Sequence, residues 1–212
     1  MADLFENTAL NAQQEAWKLL LDFTAEQLYT PSAGDCLVSL DVLYREGRAQ
    51  AGIDILQWPG KEFETRTDTL AASGSYIPGY FSFYEGPVLL EVVKRLQHSG
   101  LQPNCIMVDG HGLAHPRKFG LACYVGAHTG LPVIGVAKES LLPYDPNQPE
   151  GLVLLNGETV GATVQLNPIA KPVFVSAGNR ISLSTAVAMV KQLGAGYRNP
   201  ENMRRADAAS RK

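Results

Sequence analysis

The sequence lacks the long apolar runs and the leader segment that would tie a protein to a membrane or to an export route. No stretch approaches the roughly 20 consecutive apolar residues of a membrane-spanning helix. Residues 1–6 are acidic and have neither the basic nor the apolar region of a secretory signal peptide. These absences predict a cytoplasmic protein that has no contact with a membrane.

Cysteine is also scarce, and its scarcity restricts disulfide and zinc chemistry. The chain has three cysteines, Cys36, Cys105 and Cys123, an odd number without the spacing of a zinc site. Each of them lies among apolar residues. We therefore predict buried free thiols, as expected in a reducing compartment.

The charge balance does not by itself indicate a protein that binds nucleic acid. The net charge is -3, and the hydrophobic fraction of 45% predicts a packed globular core. Basic residues nevertheless cluster locally, and local clusters matter more for binding than the sum does. They are Arg117, Lys118, Lys138, Arg180, Arg198, Arg204, Arg205, Arg211 and Lys212. An ordinary solvated surface with a frayed tail is the competing explanation.

The length of 212 residues favours one domain that spans residues 1–212. We expect the tail after about residue 196 to be loosely held, and we expect a monomer. Apolar periodicity predicts a helix over residues 9–29, followed by strands over 36–44, 48–58 and 63–70 joined by short turns. Further along, the pattern predicts helices near 87–97, 119–129 and 182–193, and strands near 104–108, 133–137 and 173–175.

The order of these elements predicts an α/β fold with a mixed sheet. The short turns between the first three strands favour an antiparallel meander. The later strand–helix–strand order favours parallel strands joined by a right-handed crossover, with helices on both faces of the sheet. Asn156-Gly157 between two apolar stretches is typical of a two-residue hairpin.

Three acidic residues stand out within this pattern. Asp41 lies inside an apolar strand, where a charge is costly without a partner or a metal. Asp109 ends an apolar strand, and ligands collect beyond the carboxyl ends of parallel strands. Glu85 precedes the predicted helix near 87–97, and with Ser82 it also fits a capping box. If the three converge, an oxygen-only cluster suits Mg²⁺ or Mn²⁺, which activate water for displacement at phosphorus. Taken singly, each acid is also explained as a turn, a cap or a solvent-facing residue.

The segment after Asp109 has the composition of a ligand-binding loop. Gly110 and Gly112 allow the backbone to approach a ligand closely. His111 and His115 lie in the same segment, which ends at a helix start, where free N–H groups favour phosphate. The alternative is a loop whose histidines bond only to its own backbone.

Five blocks of this sequence together resemble the Endonuclease V family. They span about residues 36–208 and include Tyr-Ile-Pro-Gly-Tyr-Phe-Ser-Phe-Tyr-Glu-Gly-Pro at 76–87 and Asp-Gly-His-Gly-Leu-Ala-His-Pro-Arg-Lys at 109–118. The other blocks lie at residues 132–138, 175–183 and 200–207. The resemblance implies a ribonuclease-H-like fold and cleavage of deoxyinosine- or inosine-containing DNA, with RNA as another substrate. The cut falls at the second phosphodiester 3′ to the lesion and leaves 3′-hydroxyl and 5′-phosphate ends.

The resemblance also implies roles for individual residues. Asp41, Glu85 and Asp109 would hold Mg²⁺, or Mn²⁺ in its place, and Lys138 would neutralise charge at the scissile phosphate or its water. Tyr76 would be the wedge that fills the gap left by a displaced base. The remaining residues implied to bind substrate are Pro78, Gly79, Phe81, Gly110, His111 and His115.

Several positions depart from the family pattern. Asn179 stands where the family is expected to have a metal-site histidine, so we expect weaker binding of a second metal and slower turnover. Tyr84 replaces an expected Arg beside Glu85, and Tyr124 replaces an expected His. Ser75 stands where Pro usually precedes the wedge. These departures support a competing hypothesis of a protein that binds deaminated nucleic acid but cuts it poorly. A nuclease of the same fold with another specificity is the third hypothesis.

Overall fold

The computed structural model describes residues 7–60, 62–72, 77–147 and 151–212 and contains one eight-stranded sheet. The strands are β1 (Cys36–Arg45), β2 (Arg48–Gln57), β3 (Glu62–Ala71), β4 (Cys105–Asp109), β5 (Val133–Ala137), β6 (Leu152–Leu155), β7 (Glu158–Val164) and β8 (Val173–Asn179). The helices are α1 (Thr8–Lys18), α2 (Phe81–His98), α3 (Leu121–Thr129), α4 (Leu183–Gln192) and α5 (Glu201–Ser210).

The strand order is β3-β2-β1-β4-β5-β8-β7-β6. The antiparallel meander of β1, β2 and β3 and the parallel pairing of β1, β4 and β5 are confirmed. The sequence did not predict that β8 runs antiparallel to β5, with β7 and β6 continuing this second antiparallel group. The carboxyl ends of β4 and β5 therefore share one sheet edge with the beginning of β8.

Two tight turns connect the hairpins where the sequence predicts them. Asn156 and Gly157 have φ values of 52° and 83°, and Glu46 and Gly47 have values of 51° and 71°. Positive φ at both central residues matches the twist of the flanking strands, as in a type I′ turn. The hairpin at Asn156-Gly157 is therefore confirmed.

The helices cover both faces of the sheet, as predicted. On one face α2 and α3 bury an apolar layer that includes Val38, Leu40, Ile106 and Val108 from β1 and β4. On the other face α4 and α5 pack over the alternate residues of the same strands, such as Leu37 of β1 and Met107 of β4. Alternate residues of β1 and β4 thus face two separate helical layers, which explains their continuous apolar sequences.

The helix predicted over residues 9–29 ends early, at Lys18. Leu19 and Leu20 continue the apolar period but are 86% and 55% exposed, so that period does not mark a buried face here. The chain instead forms a short 3-10 turn at Ala25–Gln27. The Asp22 carbonyl accepts a hydrogen bond from the Arg180 N–H, and this long-range bond draws the segment away from the helical path.

The expectation of a loose tail after residue 196 is wrong, because α5 packs closely on β2 and β1. Met203, Ala206 and Ala209 are almost fully buried. Gly52 of β2 makes this approach possible, since an added Cβ would lie 1.9 Å from the carbonyl oxygen of Ala206. Most residues of this segment are polar, so the sequence pattern did not reveal the narrow stripe of apolar residues on one face of α5.

Within the described residues, no helix is both long and apolar enough to cross a membrane. The predicted free thiols are confirmed for Cys105 and Cys123, which are buried, and Cys36 is free but only half-buried.

Candidate active site

Two of the predicted acids lie side by side on neighbouring parallel strands. Leu40 of β1 pairs with Val108 of β4, and Asp41 and Asp109 are the next residue of each strand. Asp41 is 9% exposed. Burial, the largest cause, and the charges of Asp109 and Asp207 raise the pKa of Asp41 to about 6, against the lowering effect of its hydrogen bond from Ser210. The two acids predicted to converge from separate strands therefore do so.

Glu85 joins them from the helical layer above. It is the fifth residue of α2, which begins at Phe81, six residues before the predicted start. The capping-box explanation is excluded, because the residue that precedes α2 is Tyr80 and its side chain makes no capping bond. Burial raises the pKa of Glu85 well above its usual value, and the charges of Asp41 and Asp109 raise it further. The three acids thus interact as one cluster.

Lys138 supplies a positive charge to this cluster. It follows the end of β5, and its Nζ donates to Oδ2 of Asp109 at 2.6 Å. Its Nζ also lies 3.9 Å from an oxygen of Asp207. The pKa of Lys138 is raised: partial burial lowers it, but the contacts with Asp109 and the charges of Asp41 and Asp207 outweigh that effect. The ammonium therefore remains charged beside the carboxylates.

Sequence reasoning did not assign the two α5 residues that reach the cluster, Asp207 and Ser210. The Ser210 hydroxyl donates to Oδ2 of Asp41 at 2.8 Å. The carboxylate of Asp207 accepts hydrogen bonds from two guanidinium nitrogens of Arg211, Nε and Nη2, which lower the pKa of Asp207. If the tail is predicted as a helix, residues 207, 210 and 211 lie on one face of it, and this spacing could have indicated that they act together.

The donor chemistry of the cluster fits a hard divalent cation. Asp41, Glu85 and Asp109 offer oxygen ligands only; Asp41 and Glu85 are buried and Asp109 is partly exposed, and together they carry an excess of negative charge. In the described part of the chain, no three such side chains already surround a common point at ligand spacing. The cluster therefore has the composition and charge of a metal site, and its carboxylates must draw together to bind an ion.

A cavity of about 300 Å³ lies beside the acids. Its lining contains five of the predicted substrate-binding residues, Gly79, Phe81, Gly110, His111 and His115. The other lining residues are Ser82, Gly120, Leu121 and Leu141. Pro78 is not among the lining residues, and Tyr76 lies outside the described residues. The loop after β4 and the start of α2 thus form a pocket whose lining includes Gly110, the neighbour of Asp109 in the chain, and Ser82, which lies one helical turn before Glu85.

The two histidines of the pocket are held by backbone groups. The Nε2 atom of His111 lies 3.0 Å from the Glu139 carbonyl oxygen. The Nδ1 atom of His115 accepts from the Arg117 N–H at 3.2 Å, which is the local backbone contact considered as the alternative. Burial, and then the charge of Arg117, lower the pKa of His115 to about 3. His115 is therefore neutral near pH 7, with its proton on Nε2.

Arg117 fixes the loop that forms one wall of the pocket. Its Nε donates to the Gln14 side chain at 2.6 Å, and its Nη2 donates to the Gly79 carbonyl. The guanidinium also lies 4.3 Å from the centre of the Tyr80 ring. This basic residue, one of the candidates for nucleic-acid contact, is therefore occupied in joining α1 to residues 79–80.

Replacing Arg117 by Met should loosen the Gly79 wall and raise the KM for a nucleic-acid substrate about 10-fold. A charge-assisted hydrogen bond contributes roughly 1.5–3 kcal/mol, and about 1.4 kcal/mol corresponds to one factor of ten. The measurement is steady-state cleavage kinetics, with Lys118→Met as the control because Lys118 pairs with Glu158 instead. Equal KM values for the two variants would contradict this assignment.

Asn179 does not lie at the acidic cluster, so its assignment as an altered metal-site position is wrong. It pairs with Val133, the first residue of β5, whereas Lys138 follows the last. Its Oδ1 accepts from the Asp22 N–H at 2.8 Å, and its Nδ2 donates to the carbonyl oxygens of Leu131 and Gly126 at 3.0 and 3.3 Å. The side chain is fully buried and joins the segment at Asp22, helix α3 and the turn after α3 at the opposite end of the sheet.

Exchanging Asn179 for Ala should lower the free energy of unfolding by about 2–3 kcal/mol, since it removes three hydrogen bonds of a fully buried side chain and takes the Asn179 partner from the Asp22 N–H and the Leu131 carbonyl. Catalysis at saturating metal should be unchanged. Urea denaturation and a metal titration of the cleavage rate measure the two effects. A shifted metal titration with intact stability would restore the original assignment.

Tyr84 and Tyr124 both contribute to packing. The Tyr124 ring lies against Gly86, stacks on His128 at 4.3 Å and meets Trp17 edge-on at 5.1 Å. Tyr84 packs on Tyr44 with their ring centres 4.5 Å apart. Burial, and then the charges of Glu85 and Tyr84, raise the pKa of Tyr44. The tyrosine pair therefore borders Glu85, while Tyr124 belongs to the aromatic layer between α1, α2 and α3.

Comparisons with known proteins agree with this architecture. A model of the Endonuclease V family matches residues 23–208. A Geotalea uraniireducens Endonuclease V is 45% identical over 137 residues, which are 62% of this chain and 57% of that protein. The matched stretch thus spans little more than half of that relative.

Two solved structures cover more of the chain. The Endonuclease V of Streptomyces avermitilis is 32% identical with a TM-score of 0.83, covering 100% of this chain and 94% of that one. The Ciona intestinalis Endonuclease V, in complex with a 23mer DNA containing an inosine followed by a ribo-adenosine, is 25% identical. Its TM-score is 0.84, and the match covers 96% of this chain and 94% of that one. These likenesses confirm the predicted ribonuclease-H-like fold.

The family model includes every strand of the sheet, the carboxylates and the described walls of the pocket. The five sequence blocks and the three-dimensional arrangement therefore indicate the same family. The chain belongs to the Endonuclease V family.

Proposed function

We propose that the protein is a divalent-metal-dependent endonuclease that cleaves DNA containing deoxyinosine, in the repair of deaminated purines. The cut falls at the second phosphodiester 3′ to the lesion and leaves 3′-hydroxyl and 5′-phosphate ends. The observation that carries the proposal is the juxtaposition of a buried acidic cluster with a base-sized pocket. Glu85 of the cluster and Phe81 and Ser82 of the pocket wall belong to the first turns of α2. The protein acts as a cytoplasmic monomer.

Asp41, Glu85 and Asp109 would hold the ion, Mg²⁺ or in its place Mn²⁺. When bound, such an ion lowers the pKa of water and stabilises an in-line displacement at phosphorus. The protein's own part is to bring the ligands to one end of the sheet and to limit access of bulk water, which the burial of Asp41 and Glu85 favours. Lys138, held at Asp109, places an ammonium where the negative charge of the scissile phosphate must approach.

The pocket would receive the damaged base after it leaves the stack. A base read by its edge has to be extruded, and a plug in the vacated space lowers that cost. Tyr76 is the proposed plug. Within the pocket, Gly79 and Gly110 expose backbone groups, and neutral His115 offers an Nε2 proton to a base carbonyl. The cavity of about 300 Å³ is at the lower end of the usual range for ligand pockets, which suits one base.

RNA containing inosine is a second substrate class. The Ciona intestinalis complex holds DNA in which a ribo-adenosine follows the inosine, so that homologue accepts a ribonucleotide beside the lesion. For this chain, comparing strands with a deoxyadenosine or a ribo-adenosine after the inosine measures the preference directly.

The binding-only hypothesis loses most of its support. It depended on Asn179, Tyr124 and Tyr84, and two of these pack away from the carboxylates. Of these three residues Tyr84 is the chain neighbour of Glu85, and the three acids and Lys138 are all present. The remaining alternative is a nuclease that does not require inosine.

One assay separates these possibilities. End-labelled single strands and duplexes with one deoxyinosine, and matched controls with deoxyadenosine, are incubated with Mg²⁺, Mn²⁺ or EDTA. We expect one product, cut one bond beyond the lesion's own 3′ phosphodiester, and no product with EDTA or with Asp41→Ala. Inosine-dependent retention in a gel without cleavage would favour the binding-only hypothesis. Equal cleavage of the deoxyadenosine control would favour another specificity.

A further inference from the structure

The last helix ends in a serine that has no exposed surface yet reaches an acid of the cluster. Ser210 is 0% exposed, and its Oγ lies 2.8 Å from Oδ2 of Asp41. We propose that Ser210 is a positioning residue that fixes the Asp41 carboxylate for cation binding. This inference rests on the proposed function, because it assigns a role toward the ion that Asp41 would hold.

The Ser210 hydroxyl has two acceptors within reach and a single proton. Besides Asp41, the carbonyl oxygen of Asp207 lies 2.8 Å away, the usual partner of a serine near a helix end. A hydrogen bond to an ionised carboxylate is roughly twice as strong as one between neutral groups. When Asp41 is ionised, the proton therefore goes to Asp41.

The helix that carries Ser210 is firmly attached to the strands beneath it. Arg205 forms a bidentate pair with the buried Asp54 of β2, at 2.5 and 2.9 Å. Asn202 donates at 2.7 Å to the hydroxyl of Ser39, which lies in β1 two residues before Asp41. The contact between Ser210 and Asp41 is thus one of three polar contacts that set α5 against β1 and β2, and its geometry is fixed by the fold.

The consequence for the carboxylate follows from its two oxygens. Oδ2 of Asp41 is engaged by Ser210, which sets the rotation of the group and leaves Oδ1 for a cation. Partners of this kind, which bond to a metal ligand, change metal affinity or activity about 10- to 100-fold when they are removed. The same hydrogen bond lowers the cost of keeping a buried acid ionised next to Asp109 and Glu85.

The test compares Ser210→Ala with Ser99→Ala, a matched control. Ser99 follows the last residue of α2, and like Ser210 it lies near the carbonyl oxygen three residues earlier, at 2.7 Å; its hydroxyl donates to that carbonyl and not to a carboxylate of the described residues. The affinity for Mn²⁺ is measured by electron paramagnetic resonance titration of the full-length protein, alongside melting temperature and single-turnover cleavage of deoxyinosine DNA. We expect Ser210→Ala to weaken Mn²⁺ binding about 10-fold without changing the KM for DNA. Ser99→Ala should bind Mn²⁺ like the wild type.

Ser210→Thr, which keeps the hydroxyl, separates the hydrogen bond from packing. Wild-type Mn²⁺ affinity in Ser210→Thr together with the loss in Ser210→Ala supports the assignment. Unchanged affinity in a folded Ser210→Ala, or an equal loss in both variants, overturns it while the proposed function stands. A wild-type protein whose Mn²⁺ binding is absent or unaffected by Asp41→Ala overturns the proposed function and this inference together.

Discussion

Replacing Arg205 by Met should lower the free energy of unfolding by about 3–5 kcal/mol, the usual effect of breaking a buried ion pair. Asp54 is 0% exposed, and the Arg205 side chain is 13% exposed. Burial already raises the pKa of Asp54, although the hydrogen bond and charge of Arg205 oppose that shift. Without the guanidinium, the carboxylate has no compensation and must take up a proton or draw in water.

Arg204→Met is the matched control for this experiment. Arg204 is the adjacent residue of α5 and also forms a bidentate pair, with Glu201 at 2.7 and 2.8 Å, but its side chain is 44% exposed. Exposed pairs contribute roughly 0–1 kcal/mol, so this variant should remain close to the wild type. Urea denaturation gives both values. The double change Asp54→Asn with Arg205→Met should recover part of the loss, and similar losses for the two arginines would contradict the argument.

In the absence of metal, the free energy of unfolding should decrease as the pH rises from about 4 to above 6, because the contribution of the acidic cluster to it is lost. The pKa of Asp41 moves from 3.8 to about 6 on folding, mainly because of burial. The folded state therefore holds this proton more tightly, and the stabilisation is complete below the unfolded value and lost as the pH rises through the folded one. The pKa of Glu85 is raised for the same main cause, so Glu85 adds to this loss in the same direction.

A divalent cation should reverse this trend, because it binds the ionised carboxylates. At a concentration 100 times its dissociation constant an ion adds about 2.7 kcal/mol to the stability. Melting temperatures near pH 5 and pH 7.5, with EDTA and with Mg²⁺, should show stabilisation by Mg²⁺ mainly at the higher pH. Glu85→Gln isolates the cluster from other titrating groups and should flatten both dependences. A Mg²⁺ effect that is equal at the two pH values would refute the metal assignment.

Local sequence patterns predicted the elements that carry the site. The apolar runs around Asp41 and before Asp109 predicted two strands, and the parallel register seen in the structure brings the two acids together. The assignment of Glu85 to the site required the resemblance to Endonuclease V. From the local pattern alone, Ser82 and Glu85 also fit a capping box, which would give Glu85 a purely structural role. The glycine- and histidine-containing loop after Asp109 supplied three of the predicted pocket residues, Gly110, His111 and His115, whereas Gly79 and Phe81 came from the resemblance alone.

The remaining features depend on pairings between distant segments. No local pattern states whether β8 runs parallel or antiparallel to β5, and that direction is what places Asn179 far from Lys138. The attachment of α5 depends on the missing side chain of Gly52 and on the buried acid Asp54, both more than 140 residues earlier in the chain. A polar segment of this kind is therefore predicted to be loosely held when the strand residues that it packs against are not known.

The place of α5 in the chain has a consequence for the order in which the enzyme is made. During translation β1 leaves the ribosome long before residue 210 is added, so Asp41 folds into the growing sheet without its serine. The cluster remains unfinished on every nascent chain in which α5 is still inside the exit tunnel. Until residues 201–210 have emerged, Asp41 therefore lacks the hydrogen bond from Ser210, and β1 and β2 lack the cover of α5.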